Sequence, residues 1–363
     1  MRILACTFMV ATCLVAQQAS AQTTPVAFWK TVQANCNTTA AKPPSDAAKR
    51  IAQNAIDEFK AFDGHEIDAA GRLFHFGLTE AEHEEDDGGG KPPTGLGQAG
   101  WQQVSKYWRS LFDNEPWDKL EVRGYRDASA FKPDTQGSEL LRTSAARLLK
   151  AADNEQDPQE REVLREAAIR AAMIDTPWSA AFISYVVRQS GVAENTFRYS
   201  NAHRAYIYDA FTASVEEADK QTGTPHLNRA CPVATTKPRI GDILCEQREP
   251  TLAAMSDKDV RERIRQEIET KSETRSVRRA HCEVVARIDA KAHRMYTIGG
   301  NVAQSITARQ LNLRRDLKFP LAQKGHCGGA NRWALELPAA NAPRQPTKCS
   351  LNDKKWFVLL QVR

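Results

Sequence analysis

What this 363-residue sequence lacks narrows its function before any motif is considered. Beyond residue 21 no run is apolar enough to span a bilayer. Neither charge sign dominates: 50 Lys and Arg stand against 45 Asp and Glu, and a net charge of +5 is too small to imply nucleic acid. No Cys-x-x-Cys pair occurs, which removes the spacing used by zinc ribbons and thioredoxin-like sites. There is no internal repeat. With 41% hydrophobic residues, 26% charged residues and a mean hydropathy of −0.54, the composition is that of a soluble globular protein, neither membrane-embedded nor disordered.

The first twenty-one residues read as an address. Arg2 supplies a small positive region, Ile3 to Ala16 is apolar, and Ala19-Ser20-Ala21 is a small-x-small cleavage site before Gln22. The apolar run is shorter than the roughly 20 residues of a spanning helix, so a cleaved leader is expected over 1–21, with export to the periplasm or the medium. Once Cys6 and Cys13 leave with it, Cys36, Cys231, Cys245, Cys282, Cys327 and Cys349 remain. An even number in an exported chain favours structural disulfides, whose connectivity spacing alone leaves open.

Four segments are expected. Residues 22–45, with little periodicity, form a lead-in, and 46–157 form a mainly helical N-terminal region. The remainder, 158–363, carries a highly charged helical insertion at 256–279. Ile51, Ala55, Ile56 and Phe59 predict a helix over Asp46–Phe62, and Val104, Tyr107, Trp108 and Leu111 predict one over Trp101–Phe112. Glu139–Ala152 and Pro158–Ile174 read as two more. Thr176 as a cap and Pro177 at the first helical position predict a helix whose buried stripe is Phe182, Ile183, Val186 and Val187. Glu82 to Gly97 is an acidic, then glycine- and proline-rich loop. After Pro232 short alternating runs at 240–245, 281–288, 295–298, 302–307 and 356–362 predict strands, and 256–279 an exposed helix inserted in a hairpin.

This order offers chemistry. Ser179 falls in the first turn of a helix, where free backbone N–H groups and the positive dipole end favour a nearby anion. His281 opens a strand, and Asn301 follows Gly299-Gly300. A nucleophile on a helix start, a base on a strand and an orienting amide form a plausible catalytic set.

At these residues the sequence resembles a known group. Thr176-Pro177-Trp178-Ser179-Ala180-Ala181-Phe182 is similar to the nucleophile helix of papain-like cell-wall hydrolases of the CHAP type, cysteine- and histidine-dependent amidohydrolases and peptidases. Gly241-Asp242, Ala280-His281 and Gly299-Gly300-Asn301 resemble their later motifs. A closer resemblance is to an uncharacterised bacterial family, domain of unknown function 2272, on Pro177 to Ser184, Ser200 with His203, Gly241-Asp242 with Cys245, His281-Cys282 and Gly299 to Val302. The resemblance implies an α+β fold with a papain-like unit, its nucleophile-position helix packed on a small antiparallel sheet. It also implies an exported hydrolase of amide bonds, with peptidoglycan stem peptides or a cell-envelope protein as partner and no cofactor.

Where the CHAP group has cysteine, this chain has Ser179. A thiol of pKa about 8.5 becomes thiolate readily beside histidine, whereas a serine hydroxyl needs a competent base in the transition state. His281 is the expected base, Asn301 its orienting partner, and Glu283, on the same strand face, a possible source of the missing negative charge. Trp178, Ser200 and His203 are supporting candidates, the last two equally readable as caps of the following helix. The serine keeps a second expectation open: a binding module that retained the scaffold and lost turnover. His75, Glu80, Glu82 and His83 read as solvated surface in preference to a metal site. With Cys245 and Cys282 each at a matched motif on neighbouring strands, Cys245–Cys282 is the first expected disulfide; Cys327–Cys349 is the second, and Cys36–Cys231 the remainder.

Overall fold

The computed structural model describes residues 24–81, 100–125, 140–219, 223–323 and 350–363. The expected leader, the expected loop from Glu82 with His83, and the expected Cys327–Cys349 pair lie outside these residues.

The segment expected only as a lead-in contains a helix, α1 (Pro25–Ala40). Its buried residues, Phe28, Val32 and Cys36, recur every fourth position, a stripe too narrow among threonines, asparagines and alanines to stand out as periodicity. Helix α2 (Asp46–Ala61) is capped by Ser45 and buries Ala48, Ile51, Ala52 and Ala55. Two three-residue strands follow, β1 (His65–Ile67) and β2 (Leu73–His75), then α3 (Gly100–Leu111). A separate ribbon pairs β3 (Glu121–Tyr125) with β4 (Leu140–Ser144). The helix expected from Glu139 therefore begins only at Ala145, as α4 (Ala145–Ala152), where Ser144 accepts a hydrogen bond from the Arg147 amide. Helices α5 (Pro158–Asp175), α6 (Ser179–Gln189) and α7 (Arg204–Ala218) complete the helical half.

Next come β5 (Asn228–Pro232), β6 (Ile243–Gln247), α8 (Asp257–Glu269), β7 (Ala280–Asp289), β8 (Arg294–Val302), β9 (Ser305–Asn312) and β10 (Trp356–Val362). The fold is mixed α+β, but its sheet is neither small nor wholly antiparallel. Eight strands run in the order β2-β1-β9-β8-β7-β6-β10-β5, and β1 lies parallel to β9. Strands β1 and β2 are too short for alternation to be legible, which is why the sequence reading missed them. They come from the region expected to be mainly helical, and a disulfide ties α1 to β5 through Cys36 and Cys231. The N-terminal region and the C-terminal half thus share one sheet.

Alternation along the strands feeds two cores. Ile243, Cys245, Val284 and Leu360 belong to one, which α2 and α6 cover over β7 and β8. Leu244, Val285 and Leu359 belong to the other, with Phe28 and Val32 of α1. Because both faces are covered, β10 is buried along its whole length and reads as a continuous apolar run. Helix α8 lies between β6 and β7 as expected, yet it is not simply exposed: Val260, Ile264, Arg261 and Arg265 are buried.

Candidate functional site

Helix α6 begins two residues later than its sequence suggests. Trp178 holds the cap position and Ser179 is the first helical residue. Thr176 instead ends α5, and its hydroxyl bridges to Glu121, accepting from the amide at 2.9 Å and donating to the carbonyl at 3.1 Å. The earliest intrahelical bond is from the Phe182 amide to the Trp178 carbonyl, at 2.9 Å. The N–H groups of Ser179, Ala180 and Ala181 therefore have no acceptor within the helix.

Two contacts press this helix start onto the sheet. The fully buried Trp178 indole donates to Glu80 and packs against Phe62 and Tyr107, at ring-centroid distances of 6.0 and 5.7 Å. Trp178 is thus an anchor beneath Ser179, with no surface to offer a ligand. Across from it, a Cβ on Gly300 would lie 2.6 Å from Phe182 Cβ and 2.7 Å from Trp178 Cζ3, so only glycine permits this approach.

The imidazole that Ser179 meets is that of His203, not His281. Ser179 Oγ lies 2.7 Å from His203 Nε2, and His203 Nδ1 is hydrogen-bonded to the Tyr206 hydroxyl. His203 is the residue before α7, in the turn that also holds Ser200. The Ser200 hydroxyl accepts from the Ala202 amide at 3.1 Å, a local turn bond. Its backbone is fastened to α6 from both sides: the amide donates to Ser184 Oγ at 2.9 Å, and the carbonyl accepts from it at 2.8 Å. Ser184 therefore holds the His203 turn against the helix that carries Ser179. Burial lowers the His203 pKa well below 6.5, and nearby His281 and Arg248 act in the same direction, so the ring is neutral at physiological pH.

His281 stands behind this pair. Its ring centroid is 5.3 Å from that of His203, it is fully buried, and neither ring nitrogen has a hydrogen-bond partner among the described residues. Glu283 Oε1 lies 3.6 Å from His281 Nε2, an ion-pair distance longer than a hydrogen bond. Burial lowers the His281 pKa, with Glu283 opposing. Glu283 in turn is held by Arg309, at 3.1 Å, and by the Thr297 hydroxyl. Burial alone would raise its carboxyl, but Arg309, His281 and Thr297 outweigh that and keep it far below the usual carboxylate range. The glycine pair shows how the faces divide: a Cβ on Gly299 would meet Glu283 and His281, whereas one on Gly300 would meet α6. Asn301 adopts a left-handed φ of 54° at an irregularity in the β8–β9 pairing, and its side chain makes no hydrogen bond to His281.

Gly241 and Asp242 are structural. Gly241 has φ 87° and touches the backbone of Ala48. The buried Asp242 accepts from the amides of Arg239 at 2.8 Å and Val362 at 3.0 Å, tying down the end of β10. Burial pushes its carboxyl up to about 7. Cys245 and Cys282 face each other across β6 and β7 and are joined by a disulfide. Glu80 serves Trp178, while His75 Nε2 lies 3.7 Å from Asp63 Oδ1; among the described residues no cluster of His, Cys, Asp and Glu is arranged to hold a metal. No helix there is long and apolar enough to cross a membrane.

The geometry adds residues that the sequence reading did not single out: Tyr206, Ser184, Arg309 and Thr297, with a new role for Glu80. For Tyr206 a signal existed, since His203 and Tyr206 are three apart at a helix start and so share a face. A family model described as an uncharacterized protein conserved in bacteria, domain of unknown function 2272, matches residues 96–362. Comparison with curated proteins and with solved structures finds no match.

Proposed function

The chain belongs to the bacterial family of domain of unknown function 2272, whose name carries no activity, and we propose that it is an exported hydrolase of amide bonds with a Ser179–His203 centre. The observation that carries this reading is the 2.7 Å contact between Ser179 Oγ and His203 Nε2 at the first turn of a helix. Ser179 attacks the carbonyl carbon, His203 takes the hydroxyl proton and returns it to the leaving amine, and the Ser179 N–H stabilises the oxyanion. His281, Glu283 and Arg309 form a buried polar layer behind His203. The substrate class, peptidoglycan stem peptides, follows from the resemblance to CHAP-type hydrolases, with which a papain-like core would agree. Two disulfides are consistent with work outside the cytoplasm.

A second reading, a cell-wall peptide-binding module without turnover, is favoured by the environment of His203. Its Nδ1 partner is a tyrosine where a carboxylate would stabilise imidazolium, and burial opposes the cation. The test is incubation of the protein with purified peptidoglycan, followed by analysis of released fragments. Cleavage abolished by both Ser179→Ala and His203→Ala supports the hydrolase. Co-sedimentation without fragment release supports the module.

A further inference from the structure

We infer that Tyr206 is a positioning residue that sets the tautomer of His203: its O–H donates to Nδ1, so the ring proton sits on Nε2 and points at Ser179 Oγ. The extension of this inference to regulation rests on the hydrolase reading; the tautomer itself does not.

Donors and acceptors around the buried His203 ring can be fully paired in only one way. Tyr206 is 1% exposed, and among the described residues its hydroxyl has a single partner, His203 Nδ1. Stacking on Phe197, with centroids 5.0 Å apart, holds the ring in place. Burial pushes its pKa well above 10, so the phenol keeps its proton. The neutral imidazole offers one donor and one acceptor, and two arrangements are possible. If Nδ1 carries the proton, it donates to Tyr206, and the phenolic hydrogen is left buried without an acceptor, at a cost of about 1–3 kcal/mol. If Nε2 carries it, Tyr206 donates to Nδ1 and Nε2–H donates to Ser179 Oγ. The Ser179 hydrogen is then free to turn outward, and Ser179 is half-buried, so water or a ligand can accept it. Only the second arrangement leaves no buried donor orphaned.

The consequence is a restrained nucleophile. With Nε2 protonated, His203 cannot take the Ser179 proton. The base-competent state is the other tautomer, with the ring's one proton on Nδ1 in place of Nε2, and it carries the cost of the buried phenolic hydrogen left without an acceptor. In the resting state Ser179 is a hydrogen-bond donor to whatever enters.

The test uses the whole protein labelled with 15N-histidine, with His203→Gln identifying the His203 signals by their loss. A pyridine-type shift at Nδ1 with a pyrrole-type shift at Nε2 is expected. The reverse pair, or averaged shifts, overturns the inference. Because a histidine side chain by itself favours Nε2–H, the part of Tyr206 is read from Tyr206→Phe: with the phenolic donor gone, the Nδ1 shift is expected to move further toward that of an unbonded pyridine-type nitrogen, and an unchanged Nδ1 shift overturns the inference. In the peptidoglycan assay, absence of cleavage by the protein refutes the hydrolase reading, while the shifts still decide the tautomer.

Discussion

Replacing Glu80 with glutamine probes the anchor beneath Ser179. The Glu80 side chain is 1% exposed, and its partner is the Trp178 indole N–H, a neutral donor. Burial raises its carboxyl from 4.5 to about 7, against the weaker opposing effect of the Trp178 hydrogen bond. A raised carboxyl pKa means that the folded state holds a proton the unfolded state has lost between those two values. Its contribution is fully present below pH 4.5 and is lost as pH rises through 7. At about 1.36 kcal/mol per unit, linkage between pH 5 and pH 8 amounts to about 2.5 kcal/mol from this group. Glutamine has nearly the same shape, still accepts from Trp178 and does not titrate. Urea unfolding of both proteins at pH 5 and pH 8 isolates the effect, because every other titrating group is common to the pair. Relative to wild type, Glu80→Gln gains about 2.5 kcal/mol on going from pH 5 to pH 8. Any fixed offset from the extra amide donor cancels in that difference. Parallel stability curves for the two proteins would refute the reasoning and show that Glu80 is solvated in the folded state.

The other expectations concern how α6 and the sheet are held. Gly300→Ala adds a Cβ 2.6 Å from Phe182 Cβ, and overpacking of this kind costs about 1–3 kcal/mol. Thermal denaturation checks the cost, and the same shift of α6 should weaken any Ser179-dependent activity. Arg309→Met leaves Glu283 buried without its cation and costs about 3–5 kcal/mol at neutral pH. Because the Glu283 pKa is depressed in the folded protein, its contribution is present above about 4.5 and lost as pH falls. The penalty measured by urea titration should therefore shrink toward acid. Removing Cys36–Cys231 opens a loop of 195 residues and removing Cys245–Cys282 one of 37; chain entropy predicts costs of about 5 and about 4 kcal/mol. Melting of the paired-alanine variants should rank them in that order.

Much of the scaffold is legible locally. The stripe of α2 is present in the spacing of Ile51 and Ala55, and β10 is visible as an apolar run at 356–362. Short elements escape for a physical reason. Strands β1 and β2 have three residues each, and their strand geometry comes from neighbours such as β9, not from their own pattern. Helix α1 escapes because its buried face is one residue wide per turn.

The candidate site divides along the same line. Sequence by itself determined that Ser179 lies at a helix start and that His281 and Glu283 share a strand face, because residue type and period are local properties; that positions 299 and 300 need glycine was decided by the close approach of Glu283, His281 and α6. Which imidazole reaches Ser179 was decided only in three dimensions. His281 is turned with Glu283 to the side of the sheet that Gly299 faces, while Ser184 fastens the turn carrying His203 onto α6. The strand's period fixes which residues share a face with His281. The packing of α6 and of the His203 turn against that sheet fixes what Ser179 touches, and no pattern along the chain records it.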